Sequence, residues 1–137
     1  MKSVLRLAPV LAVLLLAAGC ASAHVTRSFH GIHVDRGRTP AATVEIENSG
    51  WYLLTCIPLA SGDYRHPNGG ACRWFADTVQ LENNMKILGG VMREEGVTDV
   101  ANLTSHRSDE KYLVFLLARR AYHTSALLLK PETKENK

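Results

Sequence analysis

Residues Asp77–Ser105, DTVQLENNMKILGGVMREEGVTDVANLTS, contain the only long helical pattern of the mature chain. Apolar residues recur there at spacings of four, three and four, which is typical of one buried stripe on an α-helix. The stripe consists of Leu81, Met85, Leu88 and Met92. Asp77 and Gln80 match a capping box, and Gly96 suits a left-handed helix terminus. The stretch therefore predicts a helix that covers the strands around it.

The remaining apolar segments are short and have the length of strands. They are 42–47, 51–60, 99–105, 111–118 and 122–129. Residues 48–50 predict a three-residue hairpin connection with Gly50 at a positive φ. Residues 106–110 predict a polar turn, and Ala118–Ala121 a tight turn, with one long bulged strand over 111–129 as the alternative. Gly89 and Gly90 indicate either close approach of the helix to the sheet or a break in it.

The element order is β-β-α-β-β-β, and 137 residues are enough for one domain. Short connections favour an α+β fold, in which an antiparallel sheet of four to five strands carries one long helix on one face. The predicted organisation is a signal peptide over 1–19, a lipidated N-terminus and flexible arm over 20–40, the domain over 41–130, and a disordered tail over 131–137.

The leader indicates export from the cytoplasm. Lys2 and Arg6 precede an apolar run over 10–18 that is too short to span a membrane. Small residues then precede Cys20, as they do in a bacterial lipobox, where the cysteine is lipidated and the chain is cut before it. An A-x-A site over 21–23 is the alternative, and it would release a secreted or periplasmic soluble domain. In lipoproteins of enteric-type bacteria an acidic residue directly after the cysteine retains the protein in the inner membrane. Ala21 is not acidic, so the resemblance favours the outer membrane.

Removal of the leader leaves 14 basic and 13 acidic residues, since Lys2 and Arg6 account for two of the 16 basic ones. The mature net charge of +1 gives no electrostatic support for nucleic-acid binding.

The segment Gly96–Leu103 (GVTDVANL), which follows the helix, resembles the core of small bacterial envelope lipoproteins. Rcs-type sensor lipoproteins have a similar strand–helix–strand core. The resemblance implies a lipid-anchored α+β domain that faces the periplasm. The sensor family has two disulfides, whereas this chain can form only one internal bridge, so the resemblance does not imply a signalling role.

Cys56 and Cys72 remain after removal or lipidation of Cys20, and an oxidising compartment predicts a disulfide between them. Two free thiols are the alternative. The histidines do not form a recognised metal motif, so we expect neither a bound metal nor a cofactor. No pair of a nucleophile and a base, and no pair of acids, can be argued from the spacing. The sequence therefore predicts a protein that is not an enzyme.

Four residues are candidate contacts for a ligand or a partner. They are Trp51, Trp74, Arg119 and Arg120. The aromatic pair could line a cleft and the arginine pair could bind an anion, although core packing and a solvated hairpin tip explain them as well. The favoured function is a non-enzymatic envelope lipoprotein that binds a protein partner or helps to maintain or sense the envelope. The alternative is a lipoprotein that binds a small ligand or a metal on its sheet face and histidine arm.

Overall fold

The computed structural model describes residues 20–27, 38–112 and 116–131. These residues form six strands and one helix, which confirms the predicted α+β class, with more strands than expected. The elements are β1 (Ala21–Thr26), β2 (Arg38–Leu53), β3 (Ile57–Gly62), β4 (Cys72–Trp74), α1 (Leu81–Glu94), β5 (Asp99–Tyr112) and β6 (Leu117–Pro131).

Strand β2 organises the antiparallel sheet. One of its edges pairs with β6 along the whole length of β2. Its other edge pairs with β1 over residues 43–48 and with β3 over residues 50–53. The sheet order is β4-β3-β2-β6-β5, with β1 beside β2. Because β1 and β3 share one edge, the start of β1 meets the end of β3.

Helix α1 covers one face of this sheet, and the main core lies between them. The buried core residues are Ala21, Ala42, Val44, Ile46, Ile87, Leu88, Val91, Val97, Ala126 and Leu128. The segment 42–47, predicted as a strand, lies within β2, and its alternate residues Val44 and Ile46 point into this core. No helix within the described ranges lies on the opposite face of the sheet, and we call this face the open face.

The buried side of α1 differs from the predicted stripe. Leu88 is buried as expected, and Met85 and Met92 pack against the core while partly exposed. Leu81, however, is 43% exposed, and Asn84 lies fully buried near the middle of the contact. The Asn84 amide donates hydrogen bonds to the Tyr122 carbonyl and to Thr124 Oγ1, both at 3.0 Å. A hydrogen-bonded amide can occupy an interior position, which an apolar pattern does not reveal.

The predicted capping residue of α1 is confirmed at the C-terminus and is wrong at the N-terminus. Gln80, not Asp77, is the N-cap residue, and Asp77 instead accepts a hydrogen bond of 2.6 Å from the Tyr52 hydroxyl. The two glycines neither break the helix nor approach the sheet, since a Cβ on Gly89 or Gly90 would have open space around it. Gly96 takes the predicted left-handed conformation, with φ at +64°.

The predicted hairpin at residues 48–50 is wrong. Strand β2 continues through this segment to Leu53, and the chain reverses at Leu54–Cys56, where Leu54 and Thr55 have positive φ. Gly50 serves packing instead of a turn, because a Cβ there would lie 2.9 Å from Val79 Cγ2 and 3.0 Å from the Ala60 carbonyl oxygen.

The turns predicted at 106–110 and 118–121 are also wrong. Strand β5 runs through the first segment and β6 through the second, and the reversal lies between Tyr112 and Leu117, which pair across the two strands. Leu117–Leu129 pairs with both β2 and β5, so backbone hydrogen bonds on both edges stabilise it as a single strand.

The arm predicted over residues 20–40 is ordered at its start. Strand β1 pairs with β2, and the Asn68 side chain clamps it, accepting from the Ala23 N–H and donating to the Ala23 carbonyl, each at 2.9 Å. The structure therefore corrects the prediction of a flexible arm for Ala21–Thr26. The leader over 1–19, the arm residues 28–37 and the tail residues 132–137 lie outside the described part of the chain.

Candidate binding groove on the open sheet face

A row of four polar side chains crosses the open face on four adjacent strands. The register places Ser22 of β1 opposite Glu47 of β2, Glu47 opposite His123 of β6, and His123 opposite His106 of β5. Directly opposed residues of antiparallel strands share a face and lie roughly 5 Å apart at Cβ. The row is therefore continuous from the first strand to the edge of the sheet.

A second row runs parallel to the first, two residues along each strand. It contains His24, Glu45, Ser125 and Thr104 in the same strand order. All of the eight side chains except Thr104 line a cavity of about 330 Å³, which we call the polar groove. This volume lies at the lower end of the range for small-molecule sites, roughly 300–1,000 Å³.

Contacts inside the polar groove fix the first row. Arg119 Nη2 donates to Glu47 Oε1 at 2.8 Å, and the rings of His106 and His123 stack with centroids 4.8 Å apart and planes at 15°. His123 Nε2 lies 3.5 Å from Ser108 Oγ, and its Nδ1 lies 3.9 Å from Glu47 Oε2. The ring of His123 is thus oriented between a hydroxyl and a carboxylate.

The order Ser108–His123–Glu47 is that of a serine hydrolase triad, but the distances do not support one. At 3.9 Å the imidazole and the carboxylate are not hydrogen bonded, and 3.5 Å is at the limit for the hydroxyl. The Glu47 carboxylate is already bound by Arg119. In addition, Ser108 is not among the residues that line the groove.

The two stacked histidines of the polar groove do not have the arrangement of metal ligands. Their rings lie nearly parallel, at 15°, whereas a metal requires donors that converge on one point. No group of three or more His, Cys, Asp or Glu side chains within the described ranges is arranged to hold a metal ion.

The charge of the polar groove favours hydroxyl-bearing and cationic ligands. Glu45 and Glu47 contribute two carboxylates, and the ion pair of Glu47 with Arg119 neutralises one of them. Ser22 and Ser125 add hydroxyls that can donate or accept, and Ser125 Oγ lies 2.8 Å from Thr104 Oγ1. The groove therefore presents several hydrogen-bonding groups with a net negative charge.

Three of the four predicted contact residues share one row of the open face. Trp74 is opposite Ala60, Ala60 is opposite Trp51, and Trp51 is opposite Arg119. Trp51 also contacts Tyr112, with ring centroids 5.4 Å apart. Its Nε1 is buried without a hydrogen-bond partner among the residues that the structure describes. This aromatic row lies beside the polar groove, and Arg119 joins the two.

Arg120 lies on the other face and has a structural role. Its guanidinium stacks over the Tyr52 ring at 4.3 Å, donates to Asp109 Oδ1 at 3.1 Å and also donates to the Thr55 carbonyl oxygen. Tyr52 is fully buried. Burial raises the pKa of Tyr52 far above its usual value, and the hydrogen bond to Asp77 adds to this effect. Arg120 therefore closes a packed corner instead of presenting a cation to solvent.

The predicted disulfide between Cys56 and Cys72 is absent. Cys56 immediately precedes β3, whereas Cys72 pairs with Gly62 at the far end of the same strand. Six residues of extended chain span about 20 Å. A disulfide requires Cα atoms within about 7 Å, so the two cysteines cannot be bridged in this fold.

Sequence reasoning missed the residues that line the polar groove. His24 was assigned to the flexible arm and His106 to a turn, because neither segment has a clear strand pattern. The alternation of Glu45 and Glu47 with Val44 and Ile46 is typical of a strand that turns its two carboxylates outward. The sequence does not reveal the register of the strands, and it is this register that brings residues of four strands together in one groove.

The chain matches no protein-family model, no curated protein and no solved structure. The described part of the chain contains no helix that is long and apolar enough to cross a membrane.

Proposed function

We propose that this chain is a non-enzymatic protein of the bacterial cell envelope, anchored by a lipid on Cys20, that binds a small polar ligand in the polar groove. The observation that carries the binding proposal is the convergence of two cross-strand rows around one cavity. The main core lies on the opposite face, so these side chains are available to a ligand.

The ligand class follows from the groups present. Two carboxylates, three imidazoles and two serine hydroxyls offer hydrogen bonds to several neighbouring hydroxyl groups at once. The net negative charge favours an ammonium group on the ligand. The aromatic row beside the groove adds an apolar surface at Trp51. A hydroxylated compound with one amino group, such as an amino sugar, meets all three requirements.

Histidine NMR provides a direct test of ligand binding. Titration with glucosamine should shift the ring resonances of His24, His106 and His123, and leave His66 in its exposed loop unchanged. Glucose, which lacks the charge, should bind more weakly. Glu45→Gln should weaken the glucosamine response, and Glu82→Gln on the solvent side of α1 is the matched control.

Either of two results would remove the proposal. One is an unchanged spectrum for the three groove histidines across a panel of amino sugars. The other is a stoichiometric zinc complex formed by the same histidines, which would favour metal binding instead.

The lipid anchor is supported by the residues before Cys20 and by the place of that residue in the fold. Cys20 is exposed and directly precedes β1, and its carbonyl accepts a hydrogen bond from the Ser49 N–H at 3.3 Å. Cys20→Ser should move the protein from the membrane fraction to precursor or soluble product. A mature N-terminus at His24 would instead indicate the alternative cleavage and a soluble domain.

Strand β5 favours a second candidate function, the binding of a protein partner. This fourteen-residue strand lies at the sheet edge, and its only partner among the described strands is β6. An extended peptide can add to such an edge. A photo-crosslinking residue at Leu103, which is 50% exposed, should capture a partner in the envelope, whereas the same residue at Glu82 should not. Equal capture at both positions would argue against a specific edge.

A further inference from the structure

Two large aromatic side chains are exposed at the end of the edge strand β4. Trp74 is 51% exposed and Phe75 is 75% exposed. Phe75 has a φ of +54°, which is uncommon for a bulky residue, and its N–H donates to the Leu59 carbonyl at 3.1 Å. The backbone that presents these rings is therefore bonded to β3.

This aromatic pair lies close to the predicted lipidation site. A Cβ on Gly62 would be 2.6 Å from the carbonyl carbon of Cys20, so the two backbones touch. Gly62 pairs with Cys72, and Trp74 follows two residues later. One interstrand spacing of roughly 5 Å and two strand residues of roughly 3.3 Å each place Trp74 about 8 Å from Gly62, which is itself in contact with Cys20.

The segment that carries the aromatic pair has a small excess of basic residues. Residues 62–75 contain Arg65 and Arg73 but only one acid, Asp63. The Asp63 carboxylate is engaged by His66, whose Nδ1 lies 3.1 Å from Asp63 Oδ2. The segment is thus weakly basic, and basic residues near a bilayer are attracted to its anionic lipids.

We propose that Trp74 and Phe75 dock in the interfacial region of the bilayer to which Cys20 is anchored. The inference depends on the proposed lipid anchor and extends it from one point to a surface. Tryptophan is enriched at the membrane interface, where its ring is partly apolar and its N–H stays hydrated. A second contact next to the lipid also fixes the orientation of the domain. The polar groove, which lies over β1, β2, β6 and β5, stays clear of the β4 edge.

Tryptophan quenching by brominated phospholipids tests this docking. The chain has two tryptophans, so Trp51→Phe reports on Trp74 alone and Trp74→Phe reports on Trp51 alone. The full acylated protein is reconstituted in vesicles of phosphatidylethanolamine and phosphatidylglycerol, with and without lipids brominated near the headgroup. The wild type and Trp51→Phe should be quenched, and Trp74→Phe should lose most of the quenching.

The comparison of the wild type with Trp74→Phe suffices if Trp51→Phe does not fold, because Trp74 is exposed and its replacement leaves the core intact. Equal quenching of the wild type and Trp74→Phe, or none in either, would overturn the inference. If neither protein is quenched and a photo-crosslinker at position 75 captures a protein, the aromatic pair binds a protein partner and the membrane inference is overturned. The mass of the N-terminal peptide distinguishes the proposed lipid anchor from the proposed docking of the aromatic pair. An acylated Cys20 with an unquenched Trp74 supports the anchor and contradicts the docking.

Discussion

Gly62→Ala tests the most unexpected part of the fold, the packing of β1 against the end of β3. The added Cβ would lie 2.6 Å from the Cys20 carbonyl carbon, closer still to the Ala21 nitrogen, and 2.9 Å from Asn48 Oδ1. Two of these neighbours are backbone atoms, so no side-chain rotation relieves the overlap. Asn48 is fully buried and cannot move far either.

Overpacking of this kind costs about 1–3 kcal/mol of folding free energy. The cost has an upper limit, because β1 can detach from the sheet instead of straining it. Detachment would lose the buried Ala21 side chain, the packing of Ala23 and Val25 against the core, and the pairing with β2. We therefore expect a lower free energy of unfolding, together with faster hydrogen exchange at the amides of β1.

Urea denaturation and hydrogen exchange measure the two effects. Gly89→Ala is the matched control, since a Cβ there meets nothing within 4 Å and Gly89 lies inside α1. That variant should be more stable than the wild type by roughly 0.5–1 kcal/mol. The reasoning fails if Gly62→Ala is as stable as the wild type and its β1 amides are equally protected, because β1 would then not lie on Gly62.

Three further predictions follow from the packing and the polar groove. Leu88→Ala should destabilise the domain by about 2–5 kcal/mol, whereas Leu81→Ala should cost less than about 0.5 kcal/mol; similar thermal melts would contradict the observed face of α1. Tyr52 has a raised pKa in the folded state, so its contribution to the free energy of unfolding is complete below pH ~10 and is lost above it, by up to ~1.4 kcal/mol per pH unit. Tyr52→Phe should reduce this loss of stability at alkaline pH. An equally steep loss in the variant would refute the assignment. A fluorophosphonate probe should not label Ser108, and labelling that disappears in Ser108→Ala would establish a hydrolase instead.

The helix was predictable because its apolar spacing is a local property of the sequence. Its exact face was not, since Asn84 is buried through hydrogen bonds to β6, a strand that follows almost forty residues later. The same limit applies to Leu81, which fits the pattern but lies at the first residue of the helix, beyond the edge of the sheet contact. Periodicity gives the class of an element, and the tertiary partners select the buried side.

The turns were mispredicted for a related reason. Asn48 and Gly50 are typical turn residues, yet in the fold Asn48 donates to the buried Thr78 carbonyl at 2.6 Å and Gly50 makes room for Val79. Both residues serve the contact between β2 and the segment before α1. The actual reversal uses Leu54 and Thr55 at positive φ, which no sequence rule favours.

The order of β1 changes how the proposed anchor and the proposed binding site are related. A flexible arm would separate the domain from the membrane and let it rotate freely. In the structure Ser22, which lines the polar groove, is only two residues from Cys20, a distance of roughly 7 Å along an extended strand. A lipid on Cys20 would therefore hold the groove at a fixed, short distance from the headgroups. A ligand at the membrane surface then fits the geometry better than one on a distant partner, and detaching β1 by Gly62→Ala should weaken ligand binding and membrane orientation together.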